Sequence, residues 1–171
     1  MQGVELPFHP DLKMPALTEV RLSVPLPAPV DDVESTTHAD VVARLASSVT
    51  PGMTVAVGGG SRGLTDRVAL LRGAISGLRA LGAEPFVVPA MGSHGGAKAE
   101  GQRAMLESLG MTEESLGAEI RATMDTVEVA RTPDGMPLYL DRHAAGADHI
   151  FPVNRIFRRT RMASFGKRSI Q

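Results

Sequence analysis

Two short stretches carry residue types that can do chemistry. "GGGSRG" (58–63) sets Arg62 beside Ser61 among Gly58, Gly59, Gly60 and Gly63, and "MGSHGG" (91–96) sets His94 among Gly92, Ser93 and Gly95. A guanidinium is a planar fork of donors that holds a carboxylate or phosphate in one orientation. An imidazole exchanges protons near neutral pH. Side by side, the two would suit a small acid whose neighbouring group gains or loses a proton. Each residue also has a plainer reading. Arg62 can be a surface side chain bonded to a carbonyl or paired with Asp66, and His94 a turn residue bonded within its own loop.

The elements around these stretches decide whether they meet. "MTVAVGG" (53–59) and "EPFVVPA" (84–90) are apolar runs of strand length, of the kind buried on both faces of a parallel sheet. Between them Leu64, Val68, Leu71, Ile75 and Leu78, at steps of four and three, predict a crossover helix that Gly82 stops. The two segments leaving the carboxyl ends of such strands emerge on one sheet edge, where open α/β folds bind ligands and glycines allow close approach. The functional reading therefore requires parallel strands with Arg62 and His94 over one crevice. Further along, the spacing predicts a loop over 27–38, a helix over 39–49, another over 97–109 ending at Gly110, and a short one capped by Thr112. Strands are expected at 125–131, 136–141 and 148–153, with a Pro-Asp-Gly turn between the first two, and a short edge strand at 20–26. The fold class read from this order is α/β, a mainly parallel sheet flanked by helices in βαβ units. A Pro-rich extended lead-in (1–18) precedes the α/β domain (19–156), and a basic, irregular tail follows (157–171).

Composition removes several function classes. The chain of 171 residues has no Cys, which excludes disulfides, thiolate chemistry and Cys-ligated zinc. It is aliphatic and glycine-rich, with 43% apolar residues but only 4% aromatic. No window is apolar for long enough to span a membrane, and the amino terminus lacks the pattern of an export signal, so no membrane partner and a cytoplasmic location are expected. Net charge is −1, yet Arg155, Arg158, Arg159, Arg161, Lys167 and Arg168 all follow the last acidic residue, Asp148. Without a recognition motif this run reads as a solvated tail, and nucleic acid is not expected as a partner. Gly58, Gly60 and Gly63 match G-x-G-x-x-G, but the end of the second strand carries Met91, Gly92 and Ser93 where a ribose-binding acid belongs. A non-catalytic anion- or nucleotide-binding module remains the alternative. Met91 breaks the glycine pattern that would make Ser93 a nucleophile. His9, His38, His143 and His149 show no metal-ligand spacing and read as structural or exposed, so no metal site is assigned.

"VGGGSRGLTD", "VPAMGSHGGAKAEGQRAMLESLGMTEESLGAEIRATMDTVEV", "TPDGMPLYLDRHAAGAD" and "VNRI" together resemble the amino-terminal domain of the nickel-dependent lactate racemase family, in its branch of uncharacterised homologues. The resemblance runs from about residue 51 to 156. It implies a two-domain isomerase, a 2-hydroxyacid racemase or epimerase whose nickel pincer nucleotide takes a hydride from the substrate carbon and returns it to either face. Two histidines exchange the hydroxyl proton in that family. Arg62 matches its carboxylate-gripping arginine, and His94 matches one of the two histidines. This chain has Gly59 where the lactate racemases carry an aspartate. After "VNRI" it reads "FRRTRMASFGKRSIQ" where the family continues with Lys-Pro-His-Thr, the cofactor tether, a further histidine and a second domain. Codons for residues 158–164 read in another frame can encode Pro-His-Thr-Asp-Gly-Phe, so the tail is expected to be a frameshift product. The expectation is an incomplete enzyme, inactive alone and without bound cofactor, whose partner is a small 2-hydroxyacid or other carboxylate. Self-association through the surface of the missing domain is a further expectation.

Overall fold

The computed structural model describes residues 28–154, together with Glu19. The lead-in, the strand expected over 20–26, the basic tail and His9 lie outside the described residues. Three strands, β1 (Thr54–Gly59), β2 (Glu84–Pro89) and β5 (His149–Pro152), form a sheet in the order β2-β1-β5. All pairings are parallel: Val57 lies opposite Val87 on one side and Phe151 on the other. β3 (Thr126–Arg131) and β4 (Pro137–Asp141) form a separate antiparallel hairpin, closed by a turn with Gly135 at φ +87°. The chain is an α/β fold in which helices pack on a parallel three-stranded sheet.

Side chains alternate across a strand, and here the alternation separates a large core from a small one. Val55, Val57 and Val87 face Leu71, Ile75, Leu78, Leu106, Met111 and Ile120. Those come from α2 (Arg67–Ala80), α3 (Ala99–Ser108) and the turns after it. Ala56, Phe86 and Val88 point the other way, toward Ala144 of α5 (Arg142–Ala145) and Leu140. Arg121 covers the Phe86 ring on that side, its guanidinium carbon 4.0 Å from the ring centre. Beyond this thin layer Val129, Met136, Leu138, Tyr139 and Ile150 are exposed.

α1 spans Val33–Leu45, so residues 33–38, expected to be loop, are helical. Asp32 caps it by accepting from the Ser35 amide at 2.9 Å. The early turns escaped the apolar period because Thr37 and His38 occupy its inward stripe. They can do so because they face glycines: a Cβ on Gly73 would stand 2.8 Å from the Thr37 Cβ, and one on Gly77 would stand 3.0 Å from the His38 carbonyl oxygen. His38 Nδ1 bonds Ser76 Oγ at 2.9 Å across this close helix pair. The crossover helix starts at Arg67, one turn later than the stripe from Leu64 implied, because Gly63 and Asp66 sit at positive φ. α4 (Glu113–Leu116) has the expected Thr112 cap, made reciprocal by Ser115. α5 was not foreseen. Asp141 caps it by accepting from the amides of His143 and Ala144.

Candidate site at the carboxyl edge of the sheet

The loops after β1 and β2 leave the same edge, tied by the Ala90 amide donating to the Gly59 carbonyl at 2.8 Å. Gly58 and Gly59, read both as the end of the first strand and as the start of the loop after it, belong to β1, paired with Val88 and Pro89. Their role is spatial: a Cβ on Gly59 would press on Val87 and Leu106 at 3.2–3.3 Å. The loop proper begins at Gly60, and Gly63 turns it at φ +61° toward α2.

The second loop is held more firmly. Buried Met91 anchors it in the large core. Gly92 turns at φ +61°, and its carbonyl accepts from Gln102 Nε2 at 2.7 Å. Gln102 is the one buried polar side chain among the described residues. The stretch His94–Ala97 makes a 3-10 turn broken by Gly95 and Gly96 at positive φ, with the Ala97 amide donating to the Ser93 carbonyl at 3.2 Å. Gly95 lies directly on Gly101 of α3, and a Cβ on either would meet the other's backbone. This glycine-on-glycine seat fixes where the His94 ring stands.

That ring bonds at both nitrogens. Nδ1 lies 2.7 Å from Ser61 Oγ, and Nε2 lies 2.8 Å from Arg62 Nη2. A guanidinium donates and never accepts, so Nε2 must be the acceptor. Nδ1 then carries the hydrogen and donates to Ser61 Oγ. The chain thus sets one tautomer of a neutral imidazole, from residues of two strands' loops. The His94 ring is bonded to the opposite loop and not within its own, and Arg62 is bonded to His94 where a carbonyl or Asp66 was the plainer expectation. Ser93, next to His94 in sequence, makes no side-chain cap at the turn.

Gly60, Ser61, Arg62, Ala90, Met91, His94 and Asn154 line one open pocket of about 180 Å³. Gly58, Gly59, Gly63, Gly92, Ser93 and Gly95, expected around the site, do not line it. Asn154 was missed as a site residue. It follows the end of β5, the third parallel strand, and so reaches the same edge; a polar residue closing the apolar run "DHIFPV" was the available signal. A larger open groove, about 560 Å³, lies between α2 and α4, but most of its polar groups are engaged in structure. Arg72 pairs with Glu34 at 3.2 Å, Arg79 donates to the Gly117 carbonyl, and Thr112 and Ser115 cap α4.

His149 donates to or accepts at no site group; its Nε2 lies 3.0 Å from the Ser48 carbonyl oxygen. Among the described residues, no three of His, Asp or Glu converge in a way that could hold a metal ion. The pocket offers one imidazole and no lysine, so the described residues do not fit a tethered nickel cofactor. No helix among them is long and apolar enough to cross a membrane. No family model, curated protein or solved structure matches this chain.

Proposed function

We propose that the chain binds a small 2-hydroxycarboxylate, gripping its carboxylate with Arg62 and exchanging its hydroxyl proton at His94. This is the substrate-handling half of a racemase or epimerase of the nickel-dependent lactate racemase type, the family that the sequence resembles. One observation carries the reading: Arg62 Nη2 and His94 Nε2 are 2.8 Å apart at the mouth of one small pocket. Arg62 spends one N–H on His94 and keeps the rest of its fork for two carboxylate oxygens. A carboxylate bound there brings a hydroxyl on the adjacent carbon next to Nε2. For His94 to accept that proton, its lone pair must pass from Arg62 to the hydroxyl. Ser61 holds the ring through Nδ1 during the exchange. The volume suits a small acid and falls below the roughly 300 Å³ at which pockets begin to take drug-sized ligands, which weighs against a nucleotide. The described residues do not supply ligands for the nickel group.

Titrating the full chain with D- and L-lactate, followed by NMR, tests the reading. Resonances of Ser61, Arg62 and His94 are expected to move together, and Arg62→Ala to weaken binding at least about tenfold, the loss of charge-assisted bonds. Equal affinity of both proteins refutes it. A second reading, anion binding without proton transfer, is favoured by the existing bond from Arg62 to Nε2. The nitrogen–nitrogen coupling across that bond separates the two: it disappears on adding acid if His94 turns to the hydroxyl, and persists if the site only binds.

A further inference from the structure

We infer that the contact between Arg62 and His94 is a proton-operated latch, through which the pocket holds plain carboxylates in acid and selects hydroxyl-bearing ones as the pH rises. The inference deepens the proposed function, as a regulation of the same site, and rests on its carboxylate grip by Arg62.

The latch follows from the hydrogen-bonding capacity of one nitrogen. Arg62 Nη2 lies 2.8 Å from His94 Nε2, and a guanidinium has donors only. The contact therefore exists only while Nε2 keeps its lone pair. A proton on Nε2 turns the imidazole into a second cation with donors and no acceptor, and two such groups have no bond to share. Arg62, the exposed partner of the half-buried ring, must then swing off. The ring need not move. Nδ1 carries its hydrogen in both states, 2.7 Å from Ser61 Oγ, and the contact of Gly95 with Gly101 seats the turn below it.

The proton changes what the pocket offers. With Nε2 bare, an arriving acid meets an arginine with one N–H already spent. With Nε2 protonated, it meets the whole guanidinium fork and an imidazolium N–H, two cations on one pocket of about 180 Å³. Among the described residues no carboxylate lines that pocket. Glu100 and Glu107 of α3, the helix under the His94 turn, line a separate groove with Arg103, and Asp66 at the head of α2 lines another with Asp31, Asp32 and Glu34. Lys98, between the turn and α3, is exposed and adds positive charge only. The bound anion is thus the counter-ion, and anion and proton strengthen each other's binding. A 2-hydroxyacid escapes this dependence in part, because its hydroxyl can donate to the bare Nε2, a bond that protonation removes. A plain acid has no such donor. Ser61 and Asn154 do not titrate, so whatever they contribute to a bound hydroxyl is the same in both states.

The test compares acetate with glycolate, which differ by one hydroxyl. Dissociation constants are measured by NMR titration of the full chain between about pH 5.5 and about pH 8.5, across the ordinary imidazole range. Acetate affinity is expected to fall at least about tenfold as the pH rises, the loss of one charge-assisted hydrogen bond. Glycolate affinity is expected to fall by less, so that the preference for glycolate grows with pH. His94→Gln removes the titrating ring and should bind acetate equally throughout. In unliganded wild type, the nitrogen–nitrogen coupling between Arg62 and His94 should vanish over the same pH interval in which acetate affinity rises, a readout that needs no variant. Acetate affinity that is flat in wild type, a preference that does not grow, a pH dependence that survives His94→Gln, or a coupling that persists into acid overturns the inference. In each case the carboxylate grip stands if Arg62→Ala weakens both acids. If neither acid binds wild type at any pH, the grip fails and the latch falls with it.

Discussion

Gly101→Ala is a substitution for which local propensity and tertiary packing predict opposite signs. Inside a helix, alanine is more favourable than glycine by about 0.5–1 kcal/mol. Gly101 sits in the first turn of α3, so a purely local view expects stabilisation. The methyl, however, would stand 2.8 Å from the Gly95 carbonyl carbon and nearer still to its oxygen. Optimal carbon contacts lie near 3.5–4.0 Å, so the His94 loop must retreat by the better part of an ångström. It is pinned on both sides of the contact, by Met91 in the core and by the Gln102 bond to Gly92. Overpacking of this kind costs about 1–3 kcal/mol, leaving a net loss of about 1–2 kcal/mol after the helix gain, or about 3–6 °C in Tm for a chain of this size. Thermal and urea denaturation measure the loss, and the His94 ring resonances report the displacement. Gly96→Ala is the control, since it pays for its φ of +69° but meets nothing within 4 Å. A Gly101→Ala protein that is more stable than wild type, with His94 unmoved, would refute the account of how the loop is seated.

Gly73→Ala and Gly77→Ala press on Glu34 and Thr37, and on His38 and Val41, respectively. Each is expected to destabilise by about 1–3 kcal/mol in urea titrations despite better helix propensity. Gln102→Leu removes the bond that holds the Gly92 carbonyl; a loss of about 1 kcal/mol with broadened His94 signals is expected, and unchanged signals would free the loop from this support. The Asp148 carboxyl is held below its usual range, first by the Thr54 amide and then by the Thr54 hydroxyl. A depressed carboxylate stabilises the fold above the ordinary carboxylate range, and that contribution is lost as pH falls through this range toward the lower folded value. Stability should therefore decline on acidification from about pH 5, and Asp148→Asn should flatten the decline; identical slopes would remove Asp148 from it.

The sheet and its crossover were legible because β1 and β2 are continuous apolar runs and α2 shows a clean stripe at Val68, Leu71, Ile75 and Leu78. The meeting of Arg62 and His94 followed from parallel strands alone. What periodicity could not reveal lies where packing replaces it. The first turns of α1 face inward with Thr37 and His38, tolerated because Gly73 and Gly77 leave room. α5 is too short for any period and depends on the Asp141 cap. The direct bond between Arg62 and His94, and the assignment of Ser61 to Nδ1, depend on side-chain rotamers and on the Gly95–Gly101 seat, which joins residues through space. Asn154 stood in plain view, but its place in the pocket lining depends on β5 pairing with β1, and strand order is not written in local spacing.

The central claim is that Arg62 and His94 surround the same small acid. Isotope-filtered NOE measurements on the labelled full chain with unlabelled lactate test it directly. Contacts from the lactate methyl to both the His94 ring and the Arg62 side chain, in one complex, are the predicted result. Lactate that binds while touching neither, or only one of the two, contradicts the account.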